Sequence, residues 1–383
     1  MVCAAHSSIN SSGRCAAVKE SSKTALGGVR ESIDSIDQQL QTLIAERAKL
    51  AQQVGIAKRG ASDNATYYRA DREAEVLRRV VERNDGPLSD EEMVRLFREI
   101  MSSCLAQQAP LKIAFLGPAG TFTQTAALKQ FGHSIRDLPY ASIHEVFQEV
   151  ENGNADFGVV PIENSTEGTV NHTLDLFMVS PLKICGEIEL RIEQHLMGTE
   201  ADSLQNVKRV CAHQQSLAQC RGWLREHLPH AELIGVSSNA EGARRARDEQ
   251  GTLAVGGESA AAVYSLDILV KNIEDRADNT TRFLVLGKAV LPPTGDDKTA
   301  LLMSGAESSD AGQLFQLLLP FSECGVNLTR IESRPSRRGV WDYVFFVDID
   351  GHPDDANVSA ALEKLSTDAT LCKVIGAYPR AIL

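Results

Sequence analysis

The sequence predicts a multidomain protein with an all-α block at the start, an α/β block in the middle and a small α/β block at the end. Three observations support this prediction. Apolar residues follow a heptad repeat from residue 29 to residue 54, which is typical of a long packed helix. After residue 110, helical segments alternate with short β-rich runs. After residue 296, the elements follow the order βαββαβ, which is that of a ferredoxin-like sandwich.

The composition excludes several classes of function. The chain has 383 residues, enough for two to three domains of about 150 residues each. Its 39 Lys and Arg against 51 Asp and Glu give a formal charge of −12, which argues against nucleic acid or an anionic membrane surface as the main partner. No apolar run approaches the ~18 residues of a membrane span. The 8 cysteines are scattered without metal-ligand spacing, which indicates free thiols in a reducing, cytoplasmic compartment.

The first segment, residues 1–27, is rich in Ser and Ala and shows no helical period. This composition predicts a disordered tail. The alternative is an organelle transit peptide, because the first acidic residue is Glu20. The segment lacks the apolar core of a secretory signal.

Two cations interrupt the heptad stripe of the first helix. Arg47 and Lys58 stand where the repeat requires apolar residues, and their spacing places them on one face. Buried cations cost several kcal/mol unless an anion meets them. The pair therefore indicates a buried anion site, with a salt bridge to a partner helix as the alternative. Arg30 lies roughly a quarter-turn away and would reach a different site, one shared with another chain.

Two further helices are predicted after a loop at 59–65. The second spans about 70–83, and the third opens with the capping box Ser89-x-x-Glu92 and runs to Gln108. Three helices of this length form only a small core. We therefore expect dimerisation.

Residues 28–109 resemble the all-helical chorismate mutase family, at the charged positions as well as the apolar ones. The resemblance implies an intertwined homodimer in which the first helix is shared between two chorismate sites. Arg47 and the Arg30 of the second chain would hold the two carboxylates of chorismate. Lys58 and Gln108 would donate hydrogen bonds to its ether oxygen. The pocket would be completed by Arg72 and Glu73.

The chemistry of that reaction fits such a site. A [3,3] rearrangement requires the substrate to be held in a reactive fold and negative charge to be stabilised on the breaking ether oxygen. Fixed cations in a dry helical core supply both. Two residues depart from the family pattern: Arg69, where well-known bacterial members have Asp, and Cys104, where they have Ser. A mutase domain without activity therefore remains an alternative.

The middle block opens with a predicted strand at 111–116, a Gly-rich turn at 117–123 and a helix at about 124–131. Strand, turn and helix N-terminus form a generic anion-binding geometry, with a tight structural turn as the alternative. Further helices are predicted at 143–152, 217–228 and 240–247, and strands at 157–160, 253–255 and 283–286. Polar clusters at 161–168, 212–220 and 279–283 follow such runs. Singly, each is interpreted as helix capping.

Together, the G-P-x-G-T-F-T turn, the P-I-E-N-S-x-x-G cluster and the T-R-F tripeptide resemble prephenate dehydratase over residues 111–291. The resemblance implies two α/β lobes like those of a periplasmic binding protein, with prephenate in the cleft. It would place Thr281 at the catalytic centre and Glu163, Asn164 and Gln219 along the cleft. The substrate-binding residues that it implies are Thr121, Asn164, Ser165, Gln215 and Arg282, the last for a substrate carboxylate.

Prephenate loses CO2 and its ring hydroxyl in this reaction, so the enzyme must orient the carboxylate and donate a proton to the departing hydroxide. Thr281 and Glu163 are both candidates for the proton donor. One departure from the family is Ala212, which stands where many members have Ser.

The last block follows a linker at 292–297, with predicted strands at 298–303, 327–332, 343–348 and 371–377 and helices at 311–323 and 355–365. The E-S-R-P sequence resembles the ACT domain that accompanies prephenate dehydratases. Such domains bind phenylalanine between paired chains and lower activity. Gln313 replaces a small residue of the family pattern, and a surface salt bridge is the alternative for Arg334. The phenylalanine-binding residues that the resemblance implies are Gly312, Leu314, Glu332, Ser333, Arg334 and Pro335.

As a whole, the domains at 28–109, 110–292 and 296–383 resemble the bifunctional chorismate mutase–prephenate dehydratase family. The resemblance implies conversion of chorismate to prephenate and then to phenylpyruvate, with phenylalanine as effector and a homodimer or higher homo-oligomer. No metal, nucleotide or flavin is implied, because the sequence has no His/Cys/Asp ligand cluster and no dinucleotide fingerprint. A regulatory protein that binds amino acids without catalysis is the alternative.

Overall fold

The structure, a computed structural model, describes residues 11–61, 68–199, 204–305, 312–336 and 343–382. Within the first range, side chains are described from residue 26 to residue 57. The chain divides into two compact units, Met1–Ala65 and Thr66–Leu383. None of the helices in the described ranges combines the length and the apolar character that a membrane crossing requires.

The first unit is one long helix, α1 (Ser11–Ala61). Its start corrects the prediction of a disordered tail over residues 11–27, whereas residues 1–10 lie outside the described part of the chain. Once a helix has formed, each further residue adds a hydrogen bond, so a helix can extend beyond its heptad stripe. The stripe itself is open to solvent. Ile33, Leu40 and Leu50 are each more than half exposed, at 51%, 51% and 60%.

Two helices open the second unit, α2 (Ala70–Glu82) and α3 (Asp90–Ala106). The predicted cap of α3 is confirmed, because the Ser89 hydroxyl accepts a hydrogen bond from the Glu92 backbone N–H. The buried face of α3 is partly polar. It includes Arg98 and Ser102, while Leu96 is 40% exposed. The reason is that α3 turns a polar side to the middle block, where Ser102 accepts a hydrogen bond from the backbone of Ser134.

The middle block forms two lobes. In the first lobe, β5-β11-β3-β1-β2 are neighbours in one mixed sheet, and β4 pairs with β3. The elements of this lobe are β1 (Lys112–Leu116), α4 (Phe122–Phe131), β2 (Arg136–Tyr140), α5 (Ile143–Asn152), β3 (Phe157–Asn164), β4 (Gly168–Thr169), α6 (Asn171–Phe177), β5 (Lys183–Arg191) and β11 (Thr280–Gly287).

The second lobe is a separate five-stranded sheet of order β10-β6-β9-β7-β8. The predicted helix at 217–228 is two helices here, with a break at Cys220. The elements of this lobe are β6 (His195–Gly198), β7 (Arg209–His213), α7 (Gln214–Gln219), α8 (Arg221–His227), β8 (Glu232–Val236), α9 (Asn239–Asp248), β9 (Thr252–Gly256), α10 (Glu258–Tyr264) and β10 (Asp267–Val270).

The C-terminal block has the predicted βαββαβ order, with strands arranged β13-β14-β12-β15. Its β15 pairs with β5 of the first lobe at Gly376 and Ile184, so the two sheets are continuous. A side chain at Gly376 would collide with the Ile184 carbonyl oxygen, which requires glycine there. The elements of this block are β12 (Asp297–Ser304), α11 (Gln313–Glu323), β13 (Leu328–Pro335), β14 (Tyr343–Asp350), α12 (Ala356–Asp368) and β15 (Leu371–Pro379).

The apolar core of the second unit consists of several clusters, and the largest one continues from the first lobe into the C-terminal block at Leu302 and Tyr378. The first lobe packs Phe115, Phe147 and Phe177 at its centre. The second lobe centres on Val210 and Leu253, and the C-terminal block has a separate cluster of buried residues. These cores fix the strands, and the strand ends carry the polar residues described next.

Candidate active site

A cleft of about 610 Å³ lies between the two lobes. It collects residues from the carboxyl ends of β1, β3 and β7, which is where α/β folds bind ligands. The N-terminal end of the antiparallel strand β11 reaches the same edge. The polar side chains that line the cleft are Thr121, Thr123, Asn164, Glu167, Thr169, Gln194, His213, Gln215, Ser216, Gln219, Ser237, Ser238, Asn239 and Thr281.

Asn164 and Thr281 form the centre of the cleft on the side of the first lobe. They are paired across β3 and β11, and Asn164 Nδ2 donates a hydrogen bond of 2.8 Å to Thr281 Oγ1. The orientation of the amide is fixed, because Asn164 Oδ1 accepts from the backbone N–H groups of Thr166 and Glu167 at 3.0 Å. Asn164 thus occupies one of the two acceptor lone pairs of the Thr281 hydroxyl, and the hydrogen of this hydroxyl is available to a ligand.

A second hydrogen-bond network lies on the side of the second lobe. The backbone N–H of His213 donates to Asn239 Oδ1 at 2.9 Å, and Asn239 Nδ2 donates to Ser216 Oγ at 2.8 Å. Gln194 Nε2 donates to both Ser216 Oγ and Gln219 Oε1 at 3.1 Å. The network therefore ties four side chains of the cleft to a fixed backbone donor.

The Gly-rich turn shapes the wall of the cleft. Gly120 has φ +86°, and a Cβ there would lie 3.1 Å from the Ala260 Cα, so the turn requires glycine. The Thr121 hydroxyl donates to the Leu116 carbonyl at 3.1 Å. Thr121 is also the N-cap of α4, so the first backbone N–H groups of that helix face the cleft.

The structure corrects the prediction that Glu163 lies along the cleft and that Arg282 binds a substrate carboxylate. Strands β3 and β11 extend through these residues, so their side chains alternate between the two faces of the sheet. Asn164 and Thr281 face the cleft. Glu163 pairs instead with Arg330 of the C-terminal block, at 2.9 Å.

Arg282 lies in an ion-pair network on that opposite face. Its guanidinium pairs with Glu187 at 2.9 Å and Asp348 at 2.6 Å and donates to the Tyr378 hydroxyl at 2.9 Å. Ser165 is also outside the cleft lining. Its hydroxyl accepts a hydrogen bond of 3.0 Å from the Thr280 backbone N–H, which is a structural contact.

The cleft offers an anionic ligand few formal charges. Among the described residues, its lining contains no Lys or Arg, and Glu167 is its acidic member. Hydroxyls, amides and backbone N–H groups would have to hold a carboxylate there. Within the same described ranges, His, Cys, Asp and Glu side chains form no group of three that could hold a metal ion.

The cations predicted for a mutase site fall in two separate units. Arg30 and Arg47 lie on α1, and the side chain of Lys58 is outside the described residues. In the second unit, Arg72 pairs with Glu75, and the Gln108 Oε1 atom is buried without a hydrogen-bond partner.

Glu73 is buried against Arg98, with 3.4 Å between Oε1 and Nε. Burial raises the pKa of Glu73 to about 7, against the opposing effect of the Arg98 charge. Arg98 was not predicted as a partner, because it occupies an ordinary polar position on α3. Of the two family departures, Arg69 forms an ion pair with Asp71, and Cys104 is buried.

The residues predicted to bind phenylalanine lie along β13 and at the start of α11. Glu332 accepts a hydrogen bond of 2.9 Å from Thr169, and Arg334 pairs with Asp175 at 2.9 Å. Both partners belong to the first lobe, and Thr169 also lines the cleft. Arg334 thus forms an ion pair, but the pair is largely buried and is not the surface salt bridge of the alternative interpretation. The remaining members are Gly312, which begins α11 with φ +92°, Leu314, which is 39% exposed, and Ser333 and Pro335 of β13.

Several polar residues of the cleft were not predicted as site residues, and four of them show why. Ser216 stood inside the 212–220 cluster, and Asn239 follows two serines at a helix start, so both carried a weak signal. Thr169 and Gln194 carried none, because Thr169 lies in the two-residue strand β4 and Gln194 in the connection between β5 and β6, and neither belongs to a motif. Their side chains reach the cleft only through the arrangement of the lobes.

Each of the three blocks matches a known protein family. Family models match for chorismate mutase type II at residues 29–109, prephenate dehydratase at 113–290 and the ACT domain at 306–367. Two relatives named bifunctional chorismate mutase/prephenate dehydratase, from Stutzerimonas stutzeri and Pseudomonas aeruginosa, are each 51% identical over 94% of this chain and 98% of their own. The solved prephenate dehydratase from Arthrobacter aurescens in complex with L-Phe is 35% identical, with a TM-score of 0.66 over 71% of this chain and 90% of that one.

Proposed function

Because the chain belongs to the family of bifunctional chorismate mutase/prephenate dehydratases, we propose that the interlobe cleft is its dehydratase site, with Thr281 and Asn164 at the centre. The chain is an enzyme of aromatic amino acid biosynthesis with both activities. The main support for this assignment is the 2.8 Å hydrogen bond from Asn164 to Thr281, because both residues line a cavity between the two lobes.

In this cleft the chain's residues orient prephenate and stabilise the departing hydroxide. The bond from the ring to its carboxylate breaks, the electron pair moves through the ring, and the carbon–oxygen bond of the ring hydroxyl breaks. The products are CO2, hydroxide and the aromatic ring of phenylpyruvate. Thr281 donates a hydrogen bond to the leaving oxygen, because its hydrogen is available while Asn164 holds its lone pair. Glu163 has no part in the proton transfer of this proposal, because it is outside the cleft lining and pairs with Arg330.

The substrate's carboxylates are held by neutral donors in this proposal. Gln215 and the first N–H groups of α4, next to Thr121, line the cleft. Oriented amides in a site that excludes water stabilise an anion without a formal positive charge. Gln219 acts indirectly in this proposal, because its Oε1 atom accepts a hydrogen bond from Gln194 Nε2 and helps to hold Gln194 in place.

For the mutase activity, we propose a homodimer in which α1 of each chain supplies Arg30 to one site and Arg47 and Lys58 to the other. Arg72, Glu73 and Gln108 complete each site. The support is the apolar stripe of α1, which is exposed along its length and which a second helical surface would cover. Size-exclusion chromatography with light scattering tests this assembly. A monomer that retains full mutase activity would contradict it.

We further propose that phenylalanine binds the C-terminal block and lowers dehydratase activity. The support is the hydrogen bond between Glu332 and Thr169, which joins the E-S-R-P segment to a residue of the cleft. The relative from Arthrobacter aurescens was solved with L-Phe. A cytoplasmic location agrees with the free thiols of every cysteine whose side chain is described.

One assay tests the two activities together. The full chain is supplied with chorismate, and chorismate loss and phenylpyruvate formation are followed, with added prephenate as a second substrate. Turnover of both substrates is expected. Turnover of prephenate alone would leave a dehydratase with an inactive mutase domain, and no turnover of either would leave a binding protein.

A further inference from the structure

Gln194 has an unpaired polar atom in the cleft. The residue is 1% exposed, its side chain lines the cleft, and its Oε1 atom has no hydrogen-bond partner. Buried side-chain acceptors in native proteins are almost always paired, because an unpaired one loses its contact with water and gains nothing. An orphaned acceptor in a binding cleft therefore indicates an atom of a ligand.

In the hydrogen-bond network around Gln194, the nitrogen end of the amide is bonded and the oxygen end is not. The backbone N–H of His213 can only donate, so it sets Asn239 with Oδ1 towards His213 and Nδ2 towards Ser216. Gln194 Nε2 reaches Ser216 Oγ and Gln219 Oε1, which leaves its oxygen as the unpaired atom. A lining residue of the cleft thus holds a buried, unpaired acceptor, and a ligand group that pairs with it must be a hydrogen-bond donor.

Prephenate has one such donor. Its two carboxylates are ionised at neutral pH and its side-chain ketone has no hydrogen to donate, so each of these groups only accepts hydrogen bonds. The ring hydroxyl alone can donate. We propose that Gln194 Oε1 accepts a hydrogen bond from the ring hydroxyl of prephenate and is a specificity-determining residue of the dehydratase site.

This inference rests on the proposed function of the cleft, and it adds a second contact to the reacting group. Thr281 donates to the hydroxyl oxygen and Gln194 accepts its hydrogen, so the group that leaves is held through both of its hydrogen-bonding functions. The keto form of the product, phenylpyruvate, has no ring hydroxyl. Once the reaction is complete, Gln194 Oε1 is unpaired again, and the site holds the product less well than the substrate.

The test uses Gln194→Met in the full chain, since Met preserves the size of the side chain and removes the acceptor. The KM for prephenate is expected to rise about tenfold, which is the effect of one lost hydrogen bond to a neutral group. The inhibition constant of phenylpyruvate against prephenate is expected to stay unchanged, because this competitor has nothing to donate. Gln130→Met is the matched control, since Gln130 bonds to Tyr68 outside the cleft.

The two measurements separate the outcomes. A KM that stays within twofold of the wild-type value would overturn the proposal, and so would an equal rise in KM and in the inhibition constant, which would mean a structural role. If Gln194→Met unfolds, as judged by circular dichroism, Gln194→Asn withdraws the acceptor by one methylene and must give the same selective rise in KM. Full dehydratase activity of Thr281→Ala would instead contradict the assignment of the cleft as the dehydratase site, independently of the result for the Gln194 variants.

Discussion

Thr281 and Arg282 are consecutive residues of β11 that serve opposite faces of one sheet. Thr281 Oγ1 lies 2.8 Å from Asn164 Nδ2 in the cleft, and Arg282 Nη1 lies 2.6 Å from Asp348 Oδ2 of the C-terminal block. Asn164 and Glu163 repeat the arrangement on β3. A displacement of either strand would therefore alter the cleft and the contacts with the C-terminal block together, and the phenylalanine binding proposed above could act on the site through these strands.

Thr281→Ala is expected to lower dehydratase kcat by 100-fold or more, because it removes the hydroxyl that we propose stabilises the leaving oxygen (an oxyanion-type donor contributes on the order of 10²–10³). Mutase activity measured with chorismate should be retained. Thr281→Ser keeps the hydroxyl and should recover most of the rate. An unchanged kcat in the alanine variant would place the chemistry elsewhere.

Arg47→Ala is expected to abolish mutase activity, because the cation that would hold a carboxylate of chorismate is lost. Dehydratase activity on added prephenate should survive, since Arg47 belongs to α1 and the cleft to the second unit. Chorismate consumption and prephenate consumption are measured separately on one preparation. Equal loss of both activities would mean that Arg47 acts on stability instead of on substrate.

Glu163→Gln is expected to leave dehydratase kcat within about twofold, because this carboxylate pairs with Arg330 outside the cleft and is 41% exposed. Arg330 is mostly buried, but Gln can still accept its hydrogen bond and Glu332 lies 4.0 Å away, so the melting temperature should change little. Steady-state kinetics and thermal unfolding are the measurements. A fall in kcat comparable to that of Thr281→Ala would restore Glu163 as the proton donor.

Arg282→Met is expected to destabilise the second unit by about 3–5 kcal/mol, because it leaves the buried carboxylates of Glu187 and Asp348 without this cation. Lys298 still pairs with Glu187 and limits the loss. Urea unfolding measures the effect. The surface arginine variant Arg276→Met, whose ion pair with Asp278 is exposed, is the matched control and should be near neutral. Equal stability of the two variants would show that the network is dispensable.

Local patterns in the sequence predicted the elements well, but the direction of side chains on a strand depended on tertiary structure. The capping box at Ser89 and the βαββαβ order follow from short-range chemistry, so both could be predicted. The extension of β3 to Asn164 moved Glu163 to the other face, and no local signal marks which face meets the cleft. Gln194 lies between β5 and β6 and belongs to no sequence motif. It lines the cleft only because the two lobes pack next to each other.

Because the pKa of Glu73 is raised, the free energy of unfolding is expected to depend on pH. In the native state the pKa is about 7, whereas the ordinary value is 4.5, because the carboxyl is buried beside Arg98 and Tyr68. Between these two values the folded chain keeps a proton that the unfolded chain has lost. The free energy of unfolding therefore falls as pH rises from about 4.5 to 7, by about 3 kcal/mol in total, and levels off above that range. Urea unfolding of wild type and Glu73→Gln at several pH values isolates this effect, because other titrating groups cancel in the difference. The wild type should lose stability relative to the variant across this window, and a constant difference would mean that Glu73 titrates normally.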